Sequence, residues 1–376
     1  MKKQIKVLFV FPRPQVWGGE TVWLQYLSEI NREVFSPFIM TFGKGELLSR
    51  IERLKIPYLT LREARIRNLA GFSLNFLKMR SFLKKENFDI VNSLGVSLVT
   101  AITANSLRIP YILHIHTMHP LRSIDKWCVR NTGDIITVSN FTRDFLLSYG
   151  ARPENIKVIY NGLDFEEIKK SPPSDLRKEL GLNPEVKIVC YIGRIIESKG
   201  LDFLARCIPK IKQGYAGKIK FLLVGHIPSC GSKAGGYKEH LLNLAQDLKV
   251  KDDIIVMDKR EDVAGVLTGI DIFAMPSHME VTPVAILLAM AASKPVVAIR
   301  VGGVAELVSS DTGILIDSKD LDGFSQAITG LLNDEQKCNK LGQEAQRKAL
   351  DNFSLSRSLG QLEEALRCVY KKYSAG

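Results

Sequence analysis

Residues 271–308 read DIFAMPSHMEVTPVAILLAMAASKPVVAIRVGGVAELV. The pattern predicts a short buried strand over residues 272–275, a polar turn that contains Glu280, and a helix that opens at Pro283, where the missing N–H would be unpaired anyway. The helix is apolar on nearly every face, so we expect it to be buried. A second strand leads to Gly302-Gly303 and another short helix. Because open α/β sheets bind anions where strand ends lead into helix N-termini, we expect a ligand near Glu280.

The length and composition of the chain limit its class. At 376 residues, two domains are the natural expectation, and the apolar content is sufficient for two full cores. No apolar run reaches about eighteen residues, and the run behind Lys6 is too short and lacks a small-residue cleavage site, so we expect neither a transmembrane segment nor a signal peptide. The six cysteines have no paired spacing. This favours a reducing, cytoplasmic compartment, without disulfides or a zinc site.

Positive charge is concentrated in the first part of the chain. Residues 1–165 hold 23 Lys/Arg and 13 Asp/Glu, a difference of +10, whereas the remainder holds 29 and 27, a difference of +2. One interpretation is a solvated basic surface, and the other is attraction to an anionic membrane face or a lipid-phosphate acceptor. Nucleic acid is disfavoured, because we find no recognised nucleic-acid motif. The basic clusters are Arg62, Arg65 and Arg67; Lys78, Arg80, Lys84 and Lys85; and Arg122, Lys126 and Arg130.

A glycine-rich turn follows the first predicted strand. Residues 5–11 are mostly β-branched or aromatic, and Gly18-Gly19 then opens an amphipathic helix. A turn of this kind lets backbone N–H groups approach an anion closely, although many α/β proteins have one. Strands and helices alternate through the rest of the chain, which predicts parallel, doubly wound sheets.

Three of the six histidines, His114, His116 and His119, lie at the end of a predicted strand over residues 111–116. A metal site needs three or four ligands in closed geometry, and no nearby Asp, Glu or Cys completes one, so we predict no metal. A single histidine directed from the strand end into a cleft is better supported. A satisfied or solvent-facing side chain remains the alternative, above all for His114.

A second glycine-flanked turn follows the predicted strand over residues 187–192. It reads GRIIESKG, residues 193–200, and a helix follows it. Arginine offers phosphate oxygens a planar fork and lysine a mobile point charge, and a helix N-terminus adds to their field. We therefore predict that Arg194 and Lys199 bind a diphosphate. The alternative is two surface cations on a loop.

Residues 271–308 also resemble the C-terminal signature of the family-four retaining glycosyltransferases, which have the two-domain GT-B fold. The turn at residues 193–200 and the segment VIYNGLD at residues 158–164 resemble the same family, so the resemblance covers essentially the whole chain. Two departures stand out. Residues 281–283 are Val-Thr-Pro in place of Gly-Phe-Gly, and Leu288 replaces the second Glu of the signature. The residues that match it are Pro276, Ser277, Glu280, Ala289, Met290, Ala291, Gly302, Gly303 and Glu306.

The resemblance implies roles for individual residues. Arg194 and Lys199 would bind the donor diphosphate, and Glu280 would hold a hydroxyl of the donor sugar. In the family a histidine at this strand end approaches the donor sugar; His116 is our choice, and His119 is the rival. Arg194, Lys199, Glu280 and His116 are thus the predicted catalytic residues. The predicted donor-binding residues are Gly18, Gly19, Gly193, Val281, Thr282, Pro283, Leu288 and Arg260.

The implied fold class is α/β, with two Rossmann-like, doubly wound parallel-sheet domains facing across a cleft. We predict an N-terminal acceptor-binding domain over residues 1–168 and a C-terminal donor-binding domain over residues 169–352. Residues 353–376 would form a terminal helix that packs back on the first domain. We also expect a linker at 169–175 and a lid within 231–237.

The implied reaction moves a sugar, with retention, from a nucleotide-sugar donor to a hydroxyl of a saccharide or lipid-linked acceptor in cell-surface polysaccharide or glycolipid synthesis. A UDP-sugar is our first choice of donor and a GDP-sugar our second. The mechanism needs neither metal nor cofactor. The expected location is the cytoplasm, with the basic N-terminal domain able to lie peripherally at the anionic inner face of the membrane. The sequence disfavours a dinucleotide-dependent dehydrogenase, because the first glycine turn is not Gly-x-Gly-x-x-Gly.

Leu288 keeps two alternatives open. In the family the second Glu hydrogen-bonds the ribose hydroxyls, and a charge-assisted hydrogen bond contributes roughly 1.5–3 kcal/mol. Its loss would weaken donor binding by about ten- to several-hundred-fold, unless another residue binds the ribose or the donor differs. The chain could then be a non-catalytic GT-B paralogue that acts as a binding partner. A GT-B sugar-nucleotide epimerase is the other alternative.

Overall fold

The computed structural model describes residues 4–63, 69–118, 120–170, 175–228 and 236–374. The chain forms two compact units. The first spans Met1–Leu163 and Leu355–Gly376, and the second spans Asp164–Ser354. Our predicted boundaries follow residues 168 and 352, whereas the units change after residues 163 and 354. Some predictions fall wholly or partly outside the described residues: His119, residues 171–174 of the linker predicted at 169–175, residues 231–235 of the lid predicted at 231–237, and Arg65 and Arg67 of the first basic cluster.

A parallel sheet forms the centre of the first unit. Its strands are β1 (Ile5–Phe11), β2 (Phe35–Phe42), β3 (Tyr58–Leu61), β4 (Ile90–Leu94), β5 (Tyr111–Ile115), β6 (Asp134–Thr137) and β7 (Ile156–Val158). In the described chain these seven strands lie in the order β3-β2-β1-β4-β5-β6-β7, and each neighbouring pair is parallel. The order runs in opposite directions from β1, so the connecting helices cover both faces.

Helices alternate with these strands. They are α1 (Gly18–Glu29), α2 (Glu46–Arg53), α3 (Leu69–Glu86), α4 (Leu98–Ser106), α5 (Ser123–Asn131) and α6 (Asn140–Ser148). Ser139 caps α6, since its Oγ accepts a hydrogen bond from the N–H of Thr142 at 3.1 Å.

Strand register shows which side chains share a face of the first sheet, and the contacts of those side chains show which helices cover each face. Phe9 is aligned with Ile39 on β2 and with Asn92 on β4, so these side chains share one face. Trp23 of α1 packs edge-on against Phe9, with ring centroids 5.5 Å apart. The neighbouring residue Leu8 points to the opposite face and lies in a different buried cluster. That cluster includes Met79 of α3, Ala104 of α4, Cys128 of α5 and Leu146 of α6. Thus α1 lies on one face, and α3 to α6 form a layer on the other.

A second parallel sheet forms the centre of the second unit. Its strands are β8 (Lys187–Ile192), β9 (Ile219–Val224), β10 (Ile254–Met257), β11 (Ile272–Met275), β12 (Val296–Ile299) and β13 (Gly313–Ile316). Within the described residues, six strands lie in the order β10-β9-β8-β11-β12-β13, all with parallel neighbours. The order places β11 directly beside β8, although about eighty residues separate them.

The helices of the second unit complete its α/β alternation. They are α7 (Glu166–Lys170), α8 (Leu176–Glu179), α9 (Leu201–Gly214), α10 (Tyr237–Asp247), α11 (Val263–Gly269), α12 (Val284–Ala291), α13 (Val304–Leu307), α14 (Leu321–Asn333) and α15 (Glu335–Asn352). The helix expected to open at Pro283 starts one residue later. Pro283 is its cap, with φ of −68°, and Pro283 O accepts a hydrogen bond from the N–H of Ile286 at 3.1 Å. The proline therefore precedes the first turn and does not form part of it.

The terminal helix α16 (Leu355–Ser374) belongs to the first unit. The N–H of Leu355 donates to Leu163 O at 2.9 Å, which joins the two segments of that unit. Lys372 Nζ and Tyr373 Oη contact Asp134 carboxylate oxygens at 3.1 and 3.0 Å. Across the part of the chain that the structure describes, no helix is both long enough and apolar enough to span a bilayer.

Candidate active site

Two strand ends of the second unit come into backbone contact. β8 ends just before Gly193, and β9 ends just before Gly225. A Cβ on Gly225 would lie 1.6 Å from Gly193 O, and a Cβ on Gly193 would lie 2.3 Å from Tyr191 Oη. Both positions require glycine, because a side chain would overlap these atoms. The contact fixes the path of the turn that contains Arg194.

Tyr191 also holds this turn through a hydrogen bond. Its Oη donates to the main-chain oxygen of Arg194 at 3.1 Å, and its side chain is almost completely buried. Burial, followed by the nearby Glu280 carboxylate, raises the pKa of Tyr191 well above its ordinary value. The hydroxyl therefore remains a donor at neutral pH. Tyr191 positions the main chain of Arg194 from inside the protein.

Gly200 allows the loop after β8 to pack on the residues after β11. The short 3-10 helix Glu197–Lys199 ends at Gly200, which has a left-handed φ of 63° and caps α9. A Cβ on Gly200 would lie 2.2 Å from Pro276 O. The N–H of His278 donates to Ser198 O at 3.0 Å. The left-handed backbone and the close contact each require glycine here.

This packing brings Lys199 to Glu280. Lys199 Nζ lies 2.6 Å from Glu280 Oε1, and the two side chains are only 16% and 11% exposed. A buried ion without a counter-charge costs several kcal/mol, so each side chain stabilises the charged form of the other. Glu280 O also accepts a hydrogen bond from the N–H of Gly303 at 3.3 Å, which joins this turn to the start of α13.

Two further polar side chains lie around the same loops. Ser277 Oγ is fully buried and has no hydrogen-bond partner within the described residues. Tyr237 Oη accepts from the main-chain N–H of Asp202 at 3.1 Å and donates to Asp202 Oδ1 at 3.0 Å. Since Asp202 lies in the first turn of α9, one N–H at this helix end is already satisfied within the protein.

The residues that replace the family Gly-Phe-Gly and Glu are apolar or buried. Thr282 and Pro283 are buried, whereas Val281, Val284 and Leu288 remain partly exposed. Val284 and Leu288 lie one turn apart, so α12 presents a narrow apolar face. Leu288 offers no hydrogen-bonding group there. That Leu288 lies beside the ribose of a bound donor remains a prediction.

Arg260 contacts two carboxylates of the second unit. Its guanidinium hydrogen-bonds the Glu179 carboxylate, and its Nη2 lies 3.9 Å from Asp262 Oδ2. The hydrogen bond to Glu179 raises the pKa of Arg260. Asp262 in turn caps α11, because its Oδ1 accepts from the N–H of Gly265 at 2.7 Å. A donor-binding role for Arg260 remains a prediction.

In the first unit, the glycine turn contacts a predicted site histidine. Gly18 and Gly19 are the first residues of α1, and a Cβ on Gly19 would lie 2.9 Å from His116 Cβ. Neither ring nitrogen of His116 has a hydrogen-bond partner among the residues described, although both are buried. Burial lowers the pKa of His116 to about 3. The ring is therefore neutral at pH 7, with one donor and one acceptor nitrogen.

His114 has a structural contact. Trp23 Nε1 donates to His114 Nδ1 at 3.2 Å, and the His114 and His116 rings have centroids 4.5 Å apart. Burial is also the main reason that the pKa of His114 lies well below its ordinary value. An Nδ1 that accepts a hydrogen bond from Trp23 carries no proton of its own. His114 is thus a packed, neutral side chain.

The structure brings predicted residues together within each unit. In the second unit Lys199 contacts Glu280, and Arg194 lies on the same loop; in the first, Gly19 contacts His116. Sequence reasoning missed Tyr191, which belongs to no motif, and it included Tyr237 only as the end of the lid predicted at 231–237. Gly225 was visible only as a glycine at a strand end.

Replacing Glu280 with Gln should destabilise the protein, because Lys199 would keep a buried charge without its counter-ion. Removing one partner of a buried pair typically costs about 3–5 kcal/mol, and the partial exposure of Lys199 favours the lower end. The double variant Lys199→Met/Glu280→Gln should recover part of the loss. Urea unfolding measures both effects.

Asp322→Asn, which breaks the exposed pair with Lys210, is the matched control and should cost no more than about 1 kcal/mol. Equal losses for Glu280→Gln and Asp322→Asn would contradict the prediction.

The buried histidines should make the protein less stable in acid. Below the ordinary pKa of 6.5, the unfolded chain binds protons that His114 and His116 in the folded protein do not. Their contribution is therefore complete above pH 6.5 and is lost as the pH falls towards about 3. Within that window each contributes a slope of up to about 1.4 kcal/mol per pH unit.

The slope can be measured as the free energy of unfolding between about pH 7 and pH 5. His116→Asn should lower the slope, whatever it does to stability at pH 7. His240→Asn is the control, because it replaces an exposed histidine, and the slope of His116→Asn is compared with it. An unaltered slope in His116→Asn would mean that this histidine is not held neutral by burial.

Two family descriptions match the chain. Residues 174–348 match the protein family described as "Glycosyl transferases group 1", and residues 17–167 match the family described as "Glycosyltransferase Family 4". Together these ranges include Gly19, His116, Arg194, Lys199 and Glu280.

Individual proteins show the same similarity. The chain is 29% identical over 218 residues to D-inositol 3-phosphate glycosyltransferase of Mycobacterium marinum, which covers 57% of this chain and 45% of that protein. It thus spans about half the length of such relatives. It is 24% identical over 382 residues to spore coat protein SA of Bacillus subtilis, covering 96% of this chain and 97% of that one. The structure of Anabaena HepE in complex with UDP-glucose has a TM-score of 0.83 and 22% identity, over 97% of this chain and 100% of that one.

The two doubly wound parallel sheets and the terminal helix in the first unit confirm the predicted fold class. The structural likeness to HepE shows the same fold. Both halves of the chain match family descriptions of sugar-transferring enzymes. The chain belongs to the family-four, group 1 glycosyltransferases and has their GT-B fold.

Proposed function

We propose that this chain is a retaining glycosyltransferase that moves a sugar from a nucleotide-sugar donor to a hydroxyl of a saccharide or lipid-linked acceptor. The main support is the contact between Lys199 and Glu280, which sets a cation beside a carboxylate where β8 and β11 end. Arg194 supplies a second cation from the same loop. Cations suit the diphosphate of such a donor, and a carboxylate suits the hydroxyls of its sugar.

The cations would stabilise the leaving group. When the bond from the sugar to the diphosphate breaks, negative charge develops on the phosphate oxygen, and Arg194 and Lys199 would bind these oxygens. The hydrogen bond from Tyr191 and the glycine contact between Gly193 and Gly225 fix the Arg194 main chain before any donor binds. Electrostatic stabilisation works best when the charges are oriented in advance. The scheme requires no metal or cofactor, because the protein supplies the positive charge.

Glu280 would orient the donor sugar. A carboxylate has two oxygens, so one can hold Lys199 while the other accepts a hydrogen bond from a sugar hydroxyl. Lys199 would then lie between the carboxylate and the diphosphate, and would link the binding of the two donor parts. His116, neutral and with buried ring nitrogens, would form a further hydrogen bond to the donor sugar.

The proposed transfer retains the configuration of the sugar. The bond between the anomeric carbon and the diphosphate oxygen breaks, and the acceptor oxygen forms its bond on the same face. The proton of the acceptor hydroxyl passes to the departing phosphate oxygen, so no side chain has to act as a general base. This mechanism suits a site in which the Glu280 carboxylate is already paired with Lys199.

A UDP-sugar is the first choice of donor, and a GDP-sugar is the second. The UDP-glucose bound to HepE supports this order. Leu288 predicts weak binding of the ribose, since α12 offers only an apolar surface at this position. We therefore expect the diphosphate contacts of Arg194 and Lys199 to dominate donor affinity.

UDP should raise the thermal unfolding midpoint of the protein. Arg194→Ala should weaken UDP binding by about ten- to a hundredfold, because the variant loses one charge-assisted hydrogen bond to the diphosphate. Arg206→Ala is the matched control, because Arg206 is exposed on α9 in the same unit. Thermal shift against UDP, GDP and their sugars would measure affinity, and NMR of the products would identify the anomer. No shift with any donor would favour the non-catalytic alternative. An altered donor sugar without any acceptor would favour the epimerase.

We further propose that the protein lies peripherally at an anionic membrane from the cytoplasmic side, through α3. Two leucines on the outer face of α3 are exposed, Leu74 at 43% and Leu77 at 62%. Lys78, Lys84 and Lys85 lie exposed on the same helix, and its only acidic residue is the last one. A helix whose outer face exposes both leucines and lysines suits the surface of a bilayer that contains anionic lipid.

The double variant Lys84→Gln/Lys85→Gln should bind anionic vesicles about thirtyfold less tightly, since each lysine near such a surface contributes about 1 kcal/mol. Co-sedimentation with phosphatidylcholine vesicles, with and without phosphatidylglycerol, measures this. The control Arg53→Gln/Lys55→Gln removes two exposed cations outside the α3–α6 layer and should change binding much less. If both double variants bind equally, α3 is not the contact face.

A further inference from the structure

A second basic surface of the first unit lies away from the glycine turn and His116. It is a groove of about 790 Å³ between α5 and the turn that follows α6, which we call the α5–α6 groove. Its lining, as far as the structure describes it, has three cations and no carboxylate. The residues that matter here are Lys126, Trp127, Arg130, Gly150 and Arg152.

Two of the cations contact Tyr149, the residue that directly follows α6. Arg130 Nε donates to Tyr149 O at 2.9 Å, and Lys126 Nζ lies 4.9 Å from the centroid of the Tyr149 ring. Gly150 has a left-handed φ of 88°, and a Cβ there would lie 2.9 Å from Arg130 Nε. The glycine therefore leaves the space that the guanidinium occupies. Arg130 and Lys126 are ordered before any ligand arrives.

The positive charge of the groove exceeds the negative charge of the two helix C-termini that lie at it. α5 and α6 both end at the groove, and each helix C-terminus is equivalent to about half a negative charge. Three cations therefore leave about two positive charges. Asp125, the acidic residue of α5, is buried and already paired with Arg122 at 3.3 Å. An excess of about two charges corresponds to a phosphate monoester dianion, and arginine matches the geometry of phosphate oxygens.

The groove also has an apolar wall. Trp127 is 45% exposed, which is unusual for so large an aromatic side chain. Its main-chain oxygen accepts a hydrogen bond from Asn131 Nδ2 at 2.8 Å, which closes the last turn of α5. The indole next to the cations can cover the carbon part of a ligand while the cations bind its anionic part.

We propose that the α5–α6 groove binds a phosphate ester, with Lys126, Arg130 and Arg152 on the phosphate and Trp127 against the adjoining carbon atoms. In a parallel α/β unit the helices end at the amino edge of the sheet, whereas the glycine turn and His116 follow the carboxyl ends of strands. The groove is thus a separate site from the one that those residues form. A phospholipid headgroup and a soluble sugar or polyol phosphate both have the required chemistry, and the phospholipid source rests on the membrane association proposed above.

The soluble arm of the test uses inorganic phosphate and glycerol 3-phosphate, titrated by calorimetry. Lys126→Gln/Arg130→Gln should lower affinity at least about a hundredfold, which is the lower limit for the loss of two charge-assisted hydrogen bonds. Arg53→Gln/Lys55→Gln removes the same charge elsewhere in the unit and is the matched control. Lys84→Gln/Lys85→Gln on α3 should also leave soluble phosphate binding unchanged.

The membrane arm uses phosphatidylcholine vesicles with and without phosphatidic acid. A loss of binding in Lys126→Gln/Arg130→Gln, beyond that of the Arg53/Lys55 control, in either arm supports the groove, and the arm in which it occurs identifies the source. If this variant matches the control in both arms, the proposal is overturned. Neither arm involves a nucleotide donor, so failure of sugar transfer and failure of the groove are distinguishable.

Discussion

The contact between Gly200 and the carbonyl oxygen of Pro276 is the constraint on which the candidate site of the second unit depends. A Cβ on Gly200 would lie only 2.2 Å from that oxygen, so there is no room for a side chain. The left-handed backbone adds a further penalty of about 1–2 kcal/mol for other residues. Because the two loops touch at this point, Lys199 reaches Glu280 and both become largely buried. A backbone contact thus decides where charge lies, and that charge is the basis of the proposed chemistry.

The two units solve the problem of buried polar groups in different ways. In the second unit a cation and an anion are buried together, so each reduces the desolvation cost of the other. In the first unit two histidines are buried without a carboxylate partner among the described contacts, and burial keeps them neutral. The difference matches the proposed roles. A diphosphate needs positive charge, whereas a sugar hydroxyl needs only a neutral donor or acceptor.

Net charge is distributed unevenly along the chain. The excess of +10 lies in residues 1–165, whereas the unit that contains Arg194 and Lys199 is close to neutral overall. Chemistry at a buried site depends on a few oriented charges, but attraction to an extended anionic partner depends on many exposed ones. The layer formed by α3 to α6 presents such charges beside exposed leucines and a tryptophan. Under the proposals above, the same unit would contact a partner on one layer while its glycine turn and His116 face a ligand at the strand ends.

The sequence by itself determined the features that depend on near neighbours in the chain: the strands β1 and β8, the doubly wound alternation, and the glycine turns around residues 18–19 and 193–200. Periodicity and turn chemistry act over a few residues, so they can be read directly. Tertiary structure alone decided that Lys199 pairs with Glu280 and that Arg260 faces Glu179. The first of these contacts follows from the strand order, which puts β11 beside β8 and is set by packing of the whole sheet. No local pattern contains that information, because the free energy that selects the order comes from residues far apart in the chain.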